Sequence, residues 1–176
     1  HEDCRRQRQM CIRDRSRIVP DVGEVSIEDL IEDEEIIVSV SSNGYVKSVP
    51  STSYKKQGRG GKGVKAASSD EDVIEHLLST SVHSYLLFFT DQGKVYRAKA
   101  HEIPKTNRTA RGSLIQNVLS MSQDEKVQAI IDTRDYETEK FLLIMTEKGT
   151  VKKSKFKEFD SNYKSLQAIK LKDDDK

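Results

Sequence analysis

Three stretches of this chain share one pattern of apolar and polar positions. Aligned on Gly44, Gly93 and Gly149, the residues running into each glycine read IIVSVSSNG, YLLFFTDQG and FLLIMTEKG without a gap. Apolar residues coincide at Ile36, Tyr85 and Phe141, at Ile37, Leu86 and Leu142, at Val38, Leu87 and Leu143, and at Val40, Phe89 and Met145. Runs this short and this continuously apolar fit strands covered on both faces. Asn43-Gly44, Gln92-Gly93 and Lys148-Gly149 then predict two-residue hairpin turns, because glycine readily takes the positive φ such turns favour. Val46, Val95 and Val151 open a second strand in each copy, and residues 73–78 and 127–131 supply a third apolar strand in the first two.

The register continues past the hairpin. Ten residues beyond each glycine stand Tyr54, Ile103 and Phe159, all apolar. Fifteen beyond stand Arg59, Arg108 and Lys164, all basic, and nineteen beyond stand Gly63, Gly112 and Ala168, all small. Repeats of about fifty residues with three or four strands each predict an all-β, propeller-like array of blades packed side by side, which limits exposed sheet edges. The expected repeats are 33–82, 83–135 and 138–172, within a domain spanning 16–176. Closed propellers take about four to eight blades, so about three repeats imply an incomplete disc or an open arc. Residues 1–15 share no pattern with the rest and stand outside this reading.

Charge changes the picture through its distribution. The net charge is +1. Yet residues 21–35 carry eight acids and no base, while residues 45–69 carry Lys47, Lys55, Lys56, Arg59, Lys62 and Lys65 and no acid. No apolar run approaches the ~18 residues of a membrane span, and no secretory signal pattern opens the chain, so the expected location is cytoplasmic. Cys4 and Cys11 are separated by six residues with no Cys or His pair placed to complete a zinc site. His76, His83 and His101 have no nucleophile or carboxylate at a recognisable spacing and read as structural or surface residues. Tyr85 and Phe141, at strand starts, read as core.

The basic stretch contains Lys55, Lys56, Gln57, Gly58, Arg59, Gly60, Gly61, Lys62 and Gly63 in succession, with Lys65 close behind. Its glycines let the backbone take positive φ and bring amide groups against an anion, forming a nest for phosphate oxygens. Arg59 can fork two hydrogen bonds onto a phosphate, and the lysines act as mobile point charges. A nucleotide P-loop is excluded, because Lys62 is followed by glycine rather than Ser or Thr opening a helix. A flexible basic linker, or an Arg-Gly segment contacting RNA, would share this composition. The recurrence of Arg59 and Gly63 as Arg108 and Gly112 favours a loop within a folded unit.

Residues 57–63, Gln-Gly-Arg-Gly-Gly-Lys-Gly, resemble the GyrA box of the C-terminal domain of the DNA gyrase A family. The resemblance runs from about Arg17 to Leu171 and includes IEDLIEDEE, SNGYVK, HLLSTSVHSYLLFFTDQGKVY and EIP in order and spacing. Gly58 departs from the family, where many members carry a second basic residue, and the departure implies a weaker phosphate contact at that position. The resemblance implies a β-pinwheel whose basic rim wraps duplex DNA for ATP-driven negative supercoiling by the whole enzyme. The partners it implies are a second gyrase A chain plus the gyrase B subunit. It also implies no cofactor in this chain, since ATP and Mg²⁺ belong to other parts of the holoenzyme. The cleavage tyrosine lies in another domain, and none of the six tyrosines here has its motif. The expected anchor is the loop from Lys55 to Lys65, and the expected supporting rim is Lys47, Arg97, Lys99, Lys105, Arg108, Arg111, Lys152, Lys153 and Lys155. Two alternatives stand beside this reading: the related domain of topoisomerase IV, which lacks or degrades the box, and a propeller-type platform gripping an acidic protein.

Overall fold

The computed structural model describes residues 30–54, 59–60, 72–172 and 175. The chain divides into two compact units, His1–Ile31 and Glu32–Lys176. Only Leu30 and Ile31 of the first are described, so the expected boundary near residue 15 lies outside the described residues.

The second unit is nearly all β, as the repeats predict. Its strands are β1 (Glu35–Ser41), β2 (Tyr45–Pro50), β3 (Ile74–Ser81), β4 (Tyr85–Thr90), β5 (Lys94–Lys99), β6 (Ser113–Leu114), β7 (Val127–Thr133), β8 (Phe141–Met145), β9 (Val151–Lys155) and β10 (Ser165–Gln167). One short helix, α1 (Ile115–Leu119), follows β6. Antiparallel pairing gives the sheets β3-β1-β2-β6, β10-β5-β4-β7 and β8-β9.

Each hairpin forms where the glycine alignment places it, but the loops hold three residues rather than two. Gly44, Gly93 and Gly149 take φ of +76°, +70° and +82°, and their amides donate to Ser41, Thr90 and Thr146 oxygens at 2.9–3.0 Å. A glycine in the left-handed region closing such a turn is the usual three-residue solution. Hydroxyls support it: Ser41 and Thr146 Oγ accept from the amides of Tyr45 and Thr150, and Thr90 Oγ1 donates to Lys94 O.

The blades are not self-contained. Among the described residues the first two repeats each supply three long strands to their own sheet and the third supplies two. The second and third each give one short strand to the sheet before: β6 leaves the second repeat to pair with β2, and β10 leaves the third to pair with β5. The central strands are covered accordingly, with Val38, Leu86, Leu87 and Phe88 at most 1% exposed. Between the second and third blades, Leu87 and Val95 pack with Tyr136, Phe156, Phe159 and Ala168.

Two expectations from the alignment need correction. Ser113 opposes Val46 and Leu166 opposes Val95, yet Ser113 stands twenty residues beyond Gly93 and Leu166 only seventeen beyond Gly149. The third repeat has therefore lost three loop residues. Its Lys164 is the counterpart of Arg111, not Arg108, and Ser165 rather than Ala168 answers to Gly112. Phe141 is not core either. It is 52% exposed, with Leu143 and Met145 exposed beside it on β8, because β8 pairs with β9 alone among the described residues.

Candidate nucleic-acid interface

One loop follows the second strand of each repeat; the first two loops carry expected cations, and the third carries Lys164, which the alignment marks as basic. In the first, Lys55, Lys56, Gln57, Gly58, Gly61, Lys62, Gly63 and Lys65 lie outside the described residues. Arg59 and Gly60 are exposed. Gly60 takes φ +84°, and a Cβ there would meet nothing within 4 Å, so conformation rather than space is what glycine supplies.

The second loop is fastened to β2. Ser48 N donates to Pro104 O (3.0 Å) and Thr106 N donates to Ser48 O (2.9 Å), while Ser48 Oγ donates to Ile103 O (3.2 Å). Lys47 Nζ then donates to the carbonyls of Arg108 (2.6 Å) and Ala110 (2.8 Å). The loop ends at Gly112, where φ is +91° and an added Cβ would lie 2.6 Å from Val46 O. Only glycine lets β6 approach β2 so closely. Arg111 is exposed, its guanidinium 4.3 Å above the Tyr45 ring. Arg108 is half-buried with its Nε shielded from solvent, so less of its fork faces outward than at Arg111.

The third loop is fastened by different chemistry. Arg97 N donates to Lys164 O (3.0 Å), and the Arg97 guanidinium reaches Ser161 O (2.6 Å) and Asp160 Oδ1 (3.2 Å). That guanidinium lies 4.1 Å above the Tyr85 ring. Lys164 and Tyr163 are exposed at the tip.

Two of the expected rim cations are therefore reassigned. Lys47 is buried, with its ammonium given to two carbonyls; burial pushes its pKa below the usual lysine value, and the charge of Asp72 opposes that shift. Arg97 is about four-fifths covered and bound to the third loop. The sequence showed only that these residues are basic. It could not show that loop carbonyls arrive to satisfy them, because those carbonyls come from the following repeat.

The remaining candidates stay nearer the surface. Lys99 is half-buried, 5.3 Å from the Tyr85 ring. Lys105 is exposed and paired with Glu34. Lys152, also exposed, donates to Ala168 O (2.6 Å). Lys153 lies 4.0 Å above the Phe141 ring, repeating the Arg97–Tyr85 arrangement at the same repeat position, and Lys155 is exposed.

A set of buried acids escaped the sequence reading. Asp72, Glu125 and Asp175 are each at most 7% exposed and sit against a hairpin. Asp72 accepts from Asn43 Nδ2 (3.0 Å). Glu125 pairs with Lys94 and accepts from Tyr96 Oη (2.9 Å). Asp175 accepts from Thr146 Oγ1 (2.8 Å) and Lys148 N (3.0 Å). The signal was present in the first two repeats, an acid just ahead of β3 and of β7, but unequal loop lengths displace it from a gap-free alignment.

The family profile described as the DNA gyrase C-terminal domain, beta-propeller, matches three times in succession, at residues 35–84, 84–134 and 140–176. The chain belongs to the DNA gyrase C-terminal domain family. The DNA gyrase A protein of Mycolicibacterium smegmatis is 44% identical over 163 residues, covering 92% of this chain and 19% of the relative. The gyrase A protein of Mycobacterium leprae is 44% identical over the same length, covering 13% of the relative. The chain thus spans a fifth or less of these curated relatives. Among solved structures, a DNA topoisomerase IV C-terminal domain aligns with a TM-score of 0.69 at 30% identity, covering 82% of this chain and 44% of that one. A DNA gyrase A C-terminal domain aligns at 0.65 and 28%, covering 81% and 45%. The propeller-like fold inferred from the repeats is the fold of this family.

Proposed function

We propose that this chain binds duplex DNA without reading its sequence and, within a whole gyrase, wraps it for supercoiling. The observation that carries the proposal is the seven-residue box at 57–63 in a chain of the gyrase C-terminal domain family. The exposed cations suit the task. Arg59, Arg111, Lys153, Lys155 and Lys164 stand on successive loops and strands, and each phosphate neutralised releases counterions and adds affinity whatever the base. Many contacts are required, since turning about 20–30 base pairs through roughly 40–90° costs about 1–6 kcal/mol.

In this reading the cleavage tyrosine, the ATPase with its Mg²⁺, the second gyrase A chain, and the gyrase B subunit contribute through parts of the enzyme beyond this chain. The site of action is the bacterial nucleoid. The described residues include no helix long and apolar enough to cross a membrane.

The fold match to topoisomerase IV supports a second reading, a domain of that enzyme; the box favours gyrase. Gel-shift titration of the full chain against random-sequence duplex over a salt series tests DNA binding. Ligation-circularisation tests bending. We expect affinity to fall steeply with salt, and Arg59→Ala with Lys62→Ala to reduce circularisation while circular dichroism stays that of the parent. Duplex binding with bending indifferent to these substitutions points to the topoisomerase IV type. No duplex binding overturns both readings and leaves the platform.

A further inference from the structure

The two cations removed from the DNA-facing set do related work. Lys47, on β2 of the first blade, holds the loop of the second repeat through the carbonyls of Arg108 and Ala110, at 2.6 and 2.8 Å. Arg97, on β5 of the second blade, holds the loop of the third repeat through Ser161 O and Asp160, at 2.6 and 3.2 Å. In both cases the cation belongs to one repeat and the loop to the next. After the held carbonyls the chain presents an exposed cation, Arg111 immediately following Ala110 in the one loop and Lys164 three residues beyond Ser161 in the other. Those residues then enter β6 and β10, the strands donated to the preceding blade.

We propose that Lys47 and Arg97 are positioning residues that set the outward cations of the following repeat, so that neighbouring blades engage the DNA backbone interdependently. This rests on the duplex-binding reading above. The physical reason is entropic. A loop tip free to sample many conformations loses that freedom when its guanidinium meets a phosphate. A loop already tied down at two carbonyls has lost most of it on folding. The tie is internal and dehydrated: Lys47 is 5% exposed, and loss of its ammonium leaves two loop carbonyls without their donor. Chemistry and position both differ, an ammonium three residues beyond Gly44 and a guanidinium four beyond Gly93, so the two cations point to opposite strand faces and share only the tie from one repeat to the loop of the next. At Arg97 the forked geometry also stacks on Tyr85, which lysine cannot reproduce.

The test uses the full chain, Lys47→Met, which keeps the aliphatic stem, and Arg97→Lys, which keeps the charge. Hydrogen exchange at the Thr106 and Ala110 amides reads loop order without DNA. Duplex affinity is then measured for Lys47→Met, Arg111→Ala and the double variant, with Lys155→Ala in place of Arg111→Ala as control. We expect faster exchange in Lys47→Met, weaker duplex binding, and a double variant no weaker than Arg111→Ala within error. That coupling should be about threefold or more, with additivity against Lys155→Ala, a pattern general destabilisation does not produce. Arg97→Lys should weaken binding about as much as Lys164→Ala. Additive losses with unchanged exchange would make Lys47 a direct phosphate contact and overturn the proposal. Faster exchange with parental affinity would overturn it too. If Lys47→Met does not fold, the Arg97→Lys and Lys164→Ala cycle decides alone. A parent chain that binds no duplex is the separate failure of the reading beneath it.

Discussion

Replacing Glu125 with glutamine should cost this fold about 2–3 kcal/mol. The carboxylate side chain is fully buried, while its partner Lys94 is 34% exposed, and its second oxygen accepts from the buried Tyr96 hydroxyl at 2.9 Å. Hydrogen bonds to a charged group contribute about 1.5–3 kcal/mol net. Breaking a buried ion pair costs about 3–5 kcal/mol when the orphaned charge stays buried. Lys94 is open enough to rehydrate, which favours the lower range. Glutamine has the same shape, so no cavity term enters. Urea unfolding of the full chain, followed by circular dichroism, measures the difference, and the melting temperature should fall by roughly 4–12 °C. The control is Glu137→Gln, which removes an exposed pair with Lys157 at 3.4 Å and should stay within about 0.5 kcal/mol of the parent. A Glu125→Gln protein as stable as that control would refute the claim that the buried acid ties the hairpin to the sheet.

Gly112→Ala should destabilise by more than about 2 kcal/mol and loosen β6 from β2, since it combines a left-handed φ with a Cβ 2.6 Å from Val46 O; hydrogen exchange at the Ile115 amide, bonded to Gly44 O, reads it directly. Stability should also decline at alkaline pH through Tyr96. Burial first, then its hydrogen bond to Glu125, pushes its pKa from 10.0 to about 12, so the folded state keeps a proton that the unfolded chain releases. The resulting stability is complete below about pH 10 and is lost as pH rises toward 12. Tyr96→Phe should flatten that slope in urea unfolding at pH 9, 10 and 11, leaving the part due to Tyr136, which burial likewise raises to about 12.

The hairpins were readable in the sequence because their causes are local: apolar runs of strand length, a glycine where φ must be positive, and a second strand at a fixed offset. The donated strands were not. β6 has two residues and β10 three, too few for any periodicity, and their partners lie in another repeat. The three-residue contraction before β10 was invisible for the same reason, since Lys164 happens to be basic at the position a gap-free alignment assigns to Arg108. Lys47 and Arg97 illustrate a further limit. A cation's type is written in the sequence, whereas its loss of solvent depends on where carbonyls more than sixty residues away come to rest.

Strand donation also shifts where this protein can be divided. The unit of repetition closes near residue 82, but a piece ending there would lack β6 and leave β2 with a bare edge, a site for association with other chains. A piece carried through α1, to residue 119, would keep the first sheet bordered on both sides. Excision, duplication or grafting of blades therefore has to be cut out of step with the repeats, beyond β4, β5 and β6 rather than at the repeat boundary the sequence pattern suggests.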